Sequence, residues 1–362
     1  MIPNLLVFVA FVLFYLFSMS VDGMNKKNRG TILMLSCIVL AYFAGTRDPM
    51  LWSDTPGYKM DFEFSNPLSH FSFSDRPMGY SEKGYHFLVV VIRSFTDSSV
   101  VYFSVISCLT FFFLYRSLQR YSIYPMLGLC IYISRFMVGR NMMQIRSCLA
   151  IAIIISFTIL VKEKKWWKYF FVLLICYQLH HSSIVAAPLL FLSVRGYHIS
   201  KRQIYYGLII SFIIAQFFGG VVKSWVTSSD YIMSTADAYV MEGSSKAYSN
   251  DLTNPVIWFQ TIVLVVLTYY EKHFSKITSY YYIFRNAYFM STVMLIVLCQ
   301  YAVVAGRTST LFATYECMII PLFFTLFKND ERYPLHAIVG AGLLFLFYLN
   351  WPSLVTHIWY LE

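Results

Sequence analysis

The sequence predicts an all-α polytopic integral membrane protein. Of its 362 residues, 58% are hydrophobic and only 13% are charged, and the mean hydropathy is +0.59. Soluble domains carry roughly 25% charged residues, so this composition excludes an ordinary soluble domain. Aromatic residues make up 19% of the chain, which is typical of the interfacial belts of membrane proteins.

Apolar runs recur along the whole chain. They begin near residues 4, 31, 99, 121, 143, 166, 182, 203, 255, 284, 308 and 335, and the runs at 166 and 182 are short. A hydrocarbon core of roughly 30 Å needs about 20 apolar residues, so we expect about twelve transmembrane helices. They form one domain, residues 1–362. The first run lacks a basic segment and a cleavage site, so it is expected to be a retained span. The run 84–95 is shorter and is expected to be interfacial or re-entrant.

Basic clusters distinguish the two sides of the predicted bundle. They are Lys26, Lys27 and Arg29; Arg116 and Arg120; Lys162, Lys164, Lys165 and Lys168; Arg195, Lys201 and Arg202; Lys272 and Lys276; and Lys328 and Arg332. Cytoplasmic loops are enriched in Lys and Arg. Alternation of the spans then puts two long hydrophilic loops, 46–83 and 223–254, on the outer (periplasmic) side. The same rule explains the net charge of +10 without a nucleic-acid partner.

No cofactor or metal site is predicted. The seven cysteines lie in apolar runs without the spacing of metal ligands or of a disulfide framework. The chain also lacks a P-loop, a GxGxxG turn and a GxSxG elbow.

Charged residues converge on the predicted outer side: Arg47, Asp54, Glu82, Arg140, Arg146, His180, His181 and Arg307. An arginine at the centre of a spanning helix costs roughly 2.5–3.5 kcal/mol, so Arg140, Arg146 and Arg307 need a partner or a ligand. The one carboxylate inside a predicted span is Glu316. We therefore expect three unpaired guanidinium groups around one outward cavity, an arrangement that suits phosphate oxygens. Snorkelling towards lipid headgroups is the alternative interpretation.

Two histidines and the first outer loop are the other candidate site elements. His180 and His181 lie where two short helices are predicted to meet, and a neutral imidazole there can act as a general base. A capping histidine bonded to Ser182 or Ser183 is the alternative. The loop carboxylates Asp54 and Glu82 are alternative bases. The loop also combines Arg47 with Trp52 and Tyr58, as sugar-binding sites do, and loop 223–254 is predicted to be a lid.

Five blocks, taken in order, resemble the EpsG-like family of bacterial exopolysaccharide polymerases, which are relatives of the Wzy O-antigen polymerases. The blocks are "GTRDPMLWSDTPGY", "SEKGYHFLVVVI", "RNMMQIRSCLAIAI", "LHHSSIVAAPLL" and "GRTSTLFATYECMIIPLF", within residues 30–325. The family's Arg-Gln block matches Gln144 and Arg146 in inverted order, so either Arg140 or Arg146 is the equivalent arginine. Its histidine block matches His180, Ser182, Ser183 and Pro188, its later arginine block matches Arg307 and Pro321, and its loop aspartate matches Asp54.

The resemblance implies a membrane glycosyltransferase, similar to the glycosyltransferase C type, that needs neither nucleotide nor metal. Such enzymes join oligosaccharide repeat units carried on undecaprenyl diphosphate into O-antigen or exopolysaccharide at the outer face of the bacterial inner membrane. Together with the outward charges, it implies catalytic roles for His180, Arg146 and Arg307. The implied substrate-binding residues are Arg47, Asp54, Glu82, Arg140, Gln144, His181 and Ser182.

The implied partners are the lipid-linked glycan donor and acceptor, membrane lipid, a chain-length regulator and a flippase. Two other functions remain open at this point: an O-antigen ligase, which uses the same donor chemistry, and a flippase or exporter of lipid-linked oligosaccharides. A membrane acyltransferase is a further alternative.

Overall fold

The computed structural model describes residues 2–52, 54–73, 77, 82–195, 198–219, 252–328 and 332–358. Every regular element within these ranges is helical, which confirms the all-α prediction for them. The α-helices are α1 (Ile2–Asp22), α2 (Lys26–Gly45), α3 (Thr55–Phe64), α4 (Lys83–Arg93), α5 (Ser99–Tyr121), α6 (Pro125–Tyr132), α7 (Ile145–Ser156), α8 (Thr158–Lys162), α9 (Trp166–Leu179), α10 (Pro188–Arg195), α11 (Lys201–Phe217), α12 (Pro255–Tyr269), α13 (Glu271–Ile277), α14 (Tyr281–Val297), α15 (Ala302–Ala313), α16 (Glu316–Phe323) and α17 (Arg332–Ile358). The predicted lid, 223–254, lies outside the described residues except for 252–254.

Four helical segments in the described ranges are long and apolar enough to cross a membrane. They are α2, α5, the α7–α8 segment Ile145–Lys162 and the Arg332–Leu349 part of α17. A fifth span results if α15 and α16, which are bent by 56° at a short break, cross together. Each predicted apolar run is helical, but the predicted number of about twelve spans is not confirmed. The run 84–95 forms α4, whose 11 residues reach only about 16 Å.

The loops that carry the basic clusters contact one another at one end of the bundle. Arg29 donates to the carbonyl oxygen of Ile123 at 3.4 Å, and Arg332 donates to the Tyr124 hydroxyl at 3.0 Å. Lys162 likewise reaches Ser279 at 2.5 Å, and Lys201 reaches the carbonyl oxygen of Tyr269 at 3.1 Å.

The candidate site residues lie at the other ends of the same helices. Arg146 is in the first turn of α7, whereas Lys162 ends α8. Lys168 is in the first turn of α9, and His180 follows the last residue of that helix. Basic clusters and candidate site residues are therefore separated by the length of a helix.

A π-helix, Ile133–Met143, follows α6 directly. It ends at Gln144, whose φ of −99° and ψ of 58° are not helical, and whose N–H donates to the carbonyl oxygen of Gly139, five residues earlier. π-helical turns are rare and occur frequently at functional sites. The break at Gln144 allows α7 to begin in a new direction, with Arg146 in its first turn.

A buried ion pair joins this π-helix to α16. Arg135 Nε lies 2.6 Å from Glu316 Oε2, without a straight hydrogen-bond geometry. The Tyr288 hydroxyl donates to Glu316 Oε1 at 2.9 Å. Glu316, the carboxylate that the sequence places in a span, thus pairs with Arg135 rather than with Arg140, Arg146 or Arg307.

The start of α4 and the end of α9 approach each other closely at Gly84. A Cβ atom on Gly84 would lie 2.6 Å from Gln178 Cβ and 2.9 Å from its carbonyl oxygen. Real Cβ contacts are not that short, so any side chain at residue 84 forces the two helices apart. Only glycine allows Glu82, just before α4, to reach the residues that follow α9.

We predict that Gly84→Ala separates the start of α4 from the end of α9 and lowers the thermal unfolding temperature in detergent by several degrees. Overpacking a tight contact costs about 1–3 kcal/mol. The matched control is Gly342→Ala, because a Cβ there meets no atom within 4 Å. Equal unfolding temperatures of the two variants would contradict the close approach at Gly84.

Candidate active site

Three helix ends meet at the Glu82 carboxylate. Glu82 immediately precedes α4, Arg146 lies in the first turn of α7, and His180 follows α9 in an extended conformation. Arg146 Nη1 donates to Glu82 Oε2 at 2.5 Å. His180 Nδ1 lies 3.0 Å from Glu82 Oε1, which also accepts the backbone N–H of His181 at 3.0 Å. Both carboxylate oxygens are therefore bonded.

The Glu82 side chain is only 5% exposed, yet its surroundings favour the ionised form. Burial by itself would raise the pKa of the carboxyl group. The hydrogen bond from His180, the positive charge of Arg146 and the N–H of His181 outweigh burial and lower the pKa to about 2. Glu82 is thus a carboxylate at neutral pH and accepts hydrogen bonds from both sides.

His180 is neutral at neutral pH for a related reason. Burial lowers the pKa of the imidazole below 6.5, the contacts with Glu82 raise it in part, and the charges of Arg146 and Arg307 lower it. Because a carboxylate accepts at Nδ1, the proton of the neutral ring lies on Nδ1. The lone pair of Nε2 is then available as a base.

Tyrosine rings surround the Arg146 guanidinium group. Its carbon lies 5.3 Å from the centre of the Tyr58 ring and 5.8 Å from that of Tyr85. The hydroxyls of Tyr85 and Tyr102 lie 2.5 Å apart. The loop 46–83 is joined to the π-helix as well, since Thr55 Oγ1 donates to the carbonyl oxygen of Met142 at 3.2 Å. The ion pair with Glu82 and the two tyrosine rings fix the direction of the Arg146 side chain.

Arg140 and Arg307 are two further arginines near the site. Arg140 is buried, and its Nη1 donates to Ser147 Oγ at 2.6 Å. Arg307, half-buried in α15, is close enough to act electrostatically on both Arg140 and His180. A side chain at Gly139 or Gly306 would meet no atom within 4 Å. The space beside these two glycines is therefore open.

Arg47 and Asp54 belong to the loop 46–83, which lies beside the candidate site. Arg47 is 7% exposed; it donates to the carbonyl oxygen of Ala44 and lies 4.6 Å from the centre of the Phe103 ring. It is also within electrostatic reach of Tyr58, and so is Asp54, which precedes α3. The structure therefore brings both residues near the tyrosines that surround Arg146.

Gln144, His181 and Ser182 have backbone roles in the structure. Gln144 breaks the chain between the π-helix and α7. His181 contacts Glu82 through its N–H, and its ring lies 4.7 Å from the ring of Tyr177. Ser182 lies half-buried in the 3₁₀ helix His181–Ala186.

One sequence-based expectation needs correction. The sequence predicts unpaired guanidinium groups, but Arg146 forms an ion pair with Glu82, and Arg140 is bonded to Ser147. Of the two interpretations of His180, the side chain follows neither serine bond: it bonds Glu82, while its backbone carbonyl oxygen accepts the N–H of Ser183. Arg146 and His180 obtain this partner because helix ends that are distant in sequence meet.

Arg135 and Tyr85 were not singled out from the sequence. Arg135 had a signal, since it is a further arginine in an apolar run that also contains Arg140, and Glu316 needed a partner. Tyr85 had a weaker signal: it follows Glu82 by three residues, so in α4 it faces the same side as the residue before the helix.

The chain matches the family model for the EpsG family over residues 30–359, a range that includes Glu82, Arg146 and His180. No curated protein and no solved structure matches it. Because the match extends over most of the chain, this membrane protein belongs to the EpsG family.

Proposed function

We propose that the protein is a polymerase that joins oligosaccharide repeat units carried on undecaprenyl diphosphate into O-antigen or exopolysaccharide. Membership of the EpsG family suggests a polysaccharide polymerase, and the apolar helices suggest a membrane enzyme. The observation that carries the proposal is the neutral His180, held by Glu82, which Arg146 binds in turn, with Arg307 within electrostatic reach of both His180 and Arg140.

In this proposal His180 is the general base. The acceptor hydroxyl loses its proton to Nε2 while its oxygen bonds to C1 of the donor sugar. The bond between C1 and the diphosphate oxygen breaks, and the lipid diphosphate leaves with the electron pair. Glu82 holds the imidazole in the required tautomer and stabilises the imidazolium that forms, as a carboxylate does in a catalytic triad.

Arg140 and Arg307 stabilise the leaving diphosphate. Charge develops on its bridging oxygen as the C1–O bond breaks, and fixed guanidinium groups stabilise developing charge at little reorganisation cost. Arg146 has a different role, since one of its nitrogens already binds Glu82. It keeps Glu82 ionised and thereby positions His180.

We propose that the site faces the periplasm from the bacterial inner membrane. Positive residues accumulate in cytoplasmic loops, and the basic clusters lie at the helix ends opposite the site. A lipid-linked repeat unit is accessible on that face after it has been flipped. The loop 46–83 then forms part of the glycan-binding wall, with Arg47, Asp54 and Tyr58 next to the catalytic residues.

Reconstitution tests the function directly. The purified full-length protein in nanodiscs, supplied with a lipid-linked repeat unit, is expected to give a ladder of longer glycans and to release one lipid diphosphate per bond. Transfer to an acceptor without a lipid diphosphate, with no ladder, would indicate a ligase instead. Movement of the lipid-linked unit across the bilayer without a new glycosidic bond would indicate a flippase.

We predict that His180→Gln lowers the polymerisation rate about 10²–10⁴-fold. His181→Gln is the matched control and should cost much less, because His181 contacts Glu82 only through its backbone. The wild-type rate should fall on the acid side with a midpoint below 6.5, since the pKa of His180 is lowered. Glu82→Gln removes a group that raises the pKa of His180. In this variant the fall of the polymerisation rate on the acid side should therefore move to still lower pH, and the maximal rate should be reduced.

If the residual rate of His180→Gln fell at the same acid pH as the wild-type rate, another group would be the one that titrates, and the proposed base would be contradicted. Polymerisation by His180→Gln at the wild-type rate would contradict it as well. Binding of the donor is measured separately, and we expect it to survive in His180→Gln because the arginines remain.

We predict that Arg307→Lys and Arg140→Lys each lower kcat/KM about 10²-fold although the charge is kept, because an ammonium group cannot replace the guanidinium fork on a diphosphate. Inhibition by added undecaprenyl diphosphate should weaken in both variants. The control is Arg116→Lys, at the opposite, basic end. Equal product inhibition in all three variants and the wild type would remove Arg140 and Arg307 from the diphosphate site.

A further inference from the structure

A groove lies at the basic end of the bundle, between the start of α2 and the end of α5. It has a volume of about 390 Å³ and opens to the outside of the protein. Its lining residues are Lys26, Lys27, Gly30, Thr31, Met34, Tyr115 and Gln119. The groove lies at the first turns of α2, whereas Arg47 of the candidate active site follows the other end of this 20-residue helix, about 30 Å away.

The groove carries two positive charges. Lys26 and Lys27 are exposed, and within the described residues neither ammonium group forms an ion pair. The groove therefore offers both charges to an anionic ligand.

An apolar face continues from the groove along α2. Met34, which lines the groove, is 41% exposed, and Ile38, one turn further, is 56% exposed. Leu35 and Val39 form a second exposed row beside them, with 53% and 65% exposure. Residues four apart share a helix face, and α2 is one of the candidate membrane spans. The groove is thus continuous with an exposed apolar surface on a candidate membrane helix.

We propose that this groove binds an anionic phospholipid such as phosphatidylglycerol. The phosphate lies at Lys26 and Lys27, and an acyl chain follows Met34 and Ile38. Choline and ethanolamine headgroups each carry a positive charge and would bring it next to the two lysines.

The test is a lipid titration of the purified full-length protein in detergent, followed by native mass spectrometry. Phosphatidylglycerol is compared with phosphatidylcholine of the same acyl chains. We expect preferential retention of phosphatidylglycerol, and about 30-fold weaker binding by the variant Lys26→Gln/Lys27→Gln, from about five- to sixfold per lysine at the surface.

The matched control is Lys164→Gln/Lys168→Gln, which removes two exposed charges from the same basic end but not from the groove. It should bind phosphatidylglycerol as the wild type does. Equal weakening in both double variants would show diffuse attraction and overturn the proposal, as would equal retention of the two lipids. Displacement of the lipid by glycerol phosphate alone at millimolar concentration would show a site for a free phosphate group and would also overturn it.

Discussion

The buried carboxylate of Glu82 is the constraint on which the candidate site depends. An ionised carboxylate cannot be buried cheaply unless its oxygens are paired and hydrogen-bonded. Arg146, His180 and the N–H of His181 supply these bonds, and they can do so only where the ends of α4, α7 and α9 converge. The close approach at Gly84, the break at Gln144 and the extended backbone at His180 are the local features that make this convergence geometrically feasible.

The same rule of charge compensation applies elsewhere in the bundle. Glu316 is fully buried and is paired with Arg135, while Arg285, also fully buried, donates to Glu271 at 2.6 Å. Arg47 is compensated differently: its guanidinium group lies over an aromatic ring and bonds a single carbonyl oxygen. Breaking one partner of such a buried pair leaves an uncompensated charge, so each pair constrains the helices it joins.

The arginines therefore divide into two groups with different physical roles. Arg135 and Arg146 are bound to carboxylates, so their charge stabilises the protein and orients its groups. Arg140 donates to the Ser147 hydroxyl, and Arg307 lies within electrostatic reach of His180; their charge is the part of the site that we assign to the diphosphate. A resemblance of sequence blocks cannot make this distinction, because all four residues are arginines in or near apolar runs.

Composition and hydropathy alone determined that the chain is helical and membrane-embedded, where its apolar runs lie, and that its basic clusters alternate with the candidate site residues. These properties are local or additive along the chain. Only the tertiary structure decided which charges pair. Glu82 meets Arg146 across 64 residues and His180 across 98. Arg135, in the π-helix, meets Glu316, which follows the bend between α15 and α16. Pairing depends on how helix ends approach one another in space, and neither hydrophobic periodicity nor residue type encodes that approach over such separations.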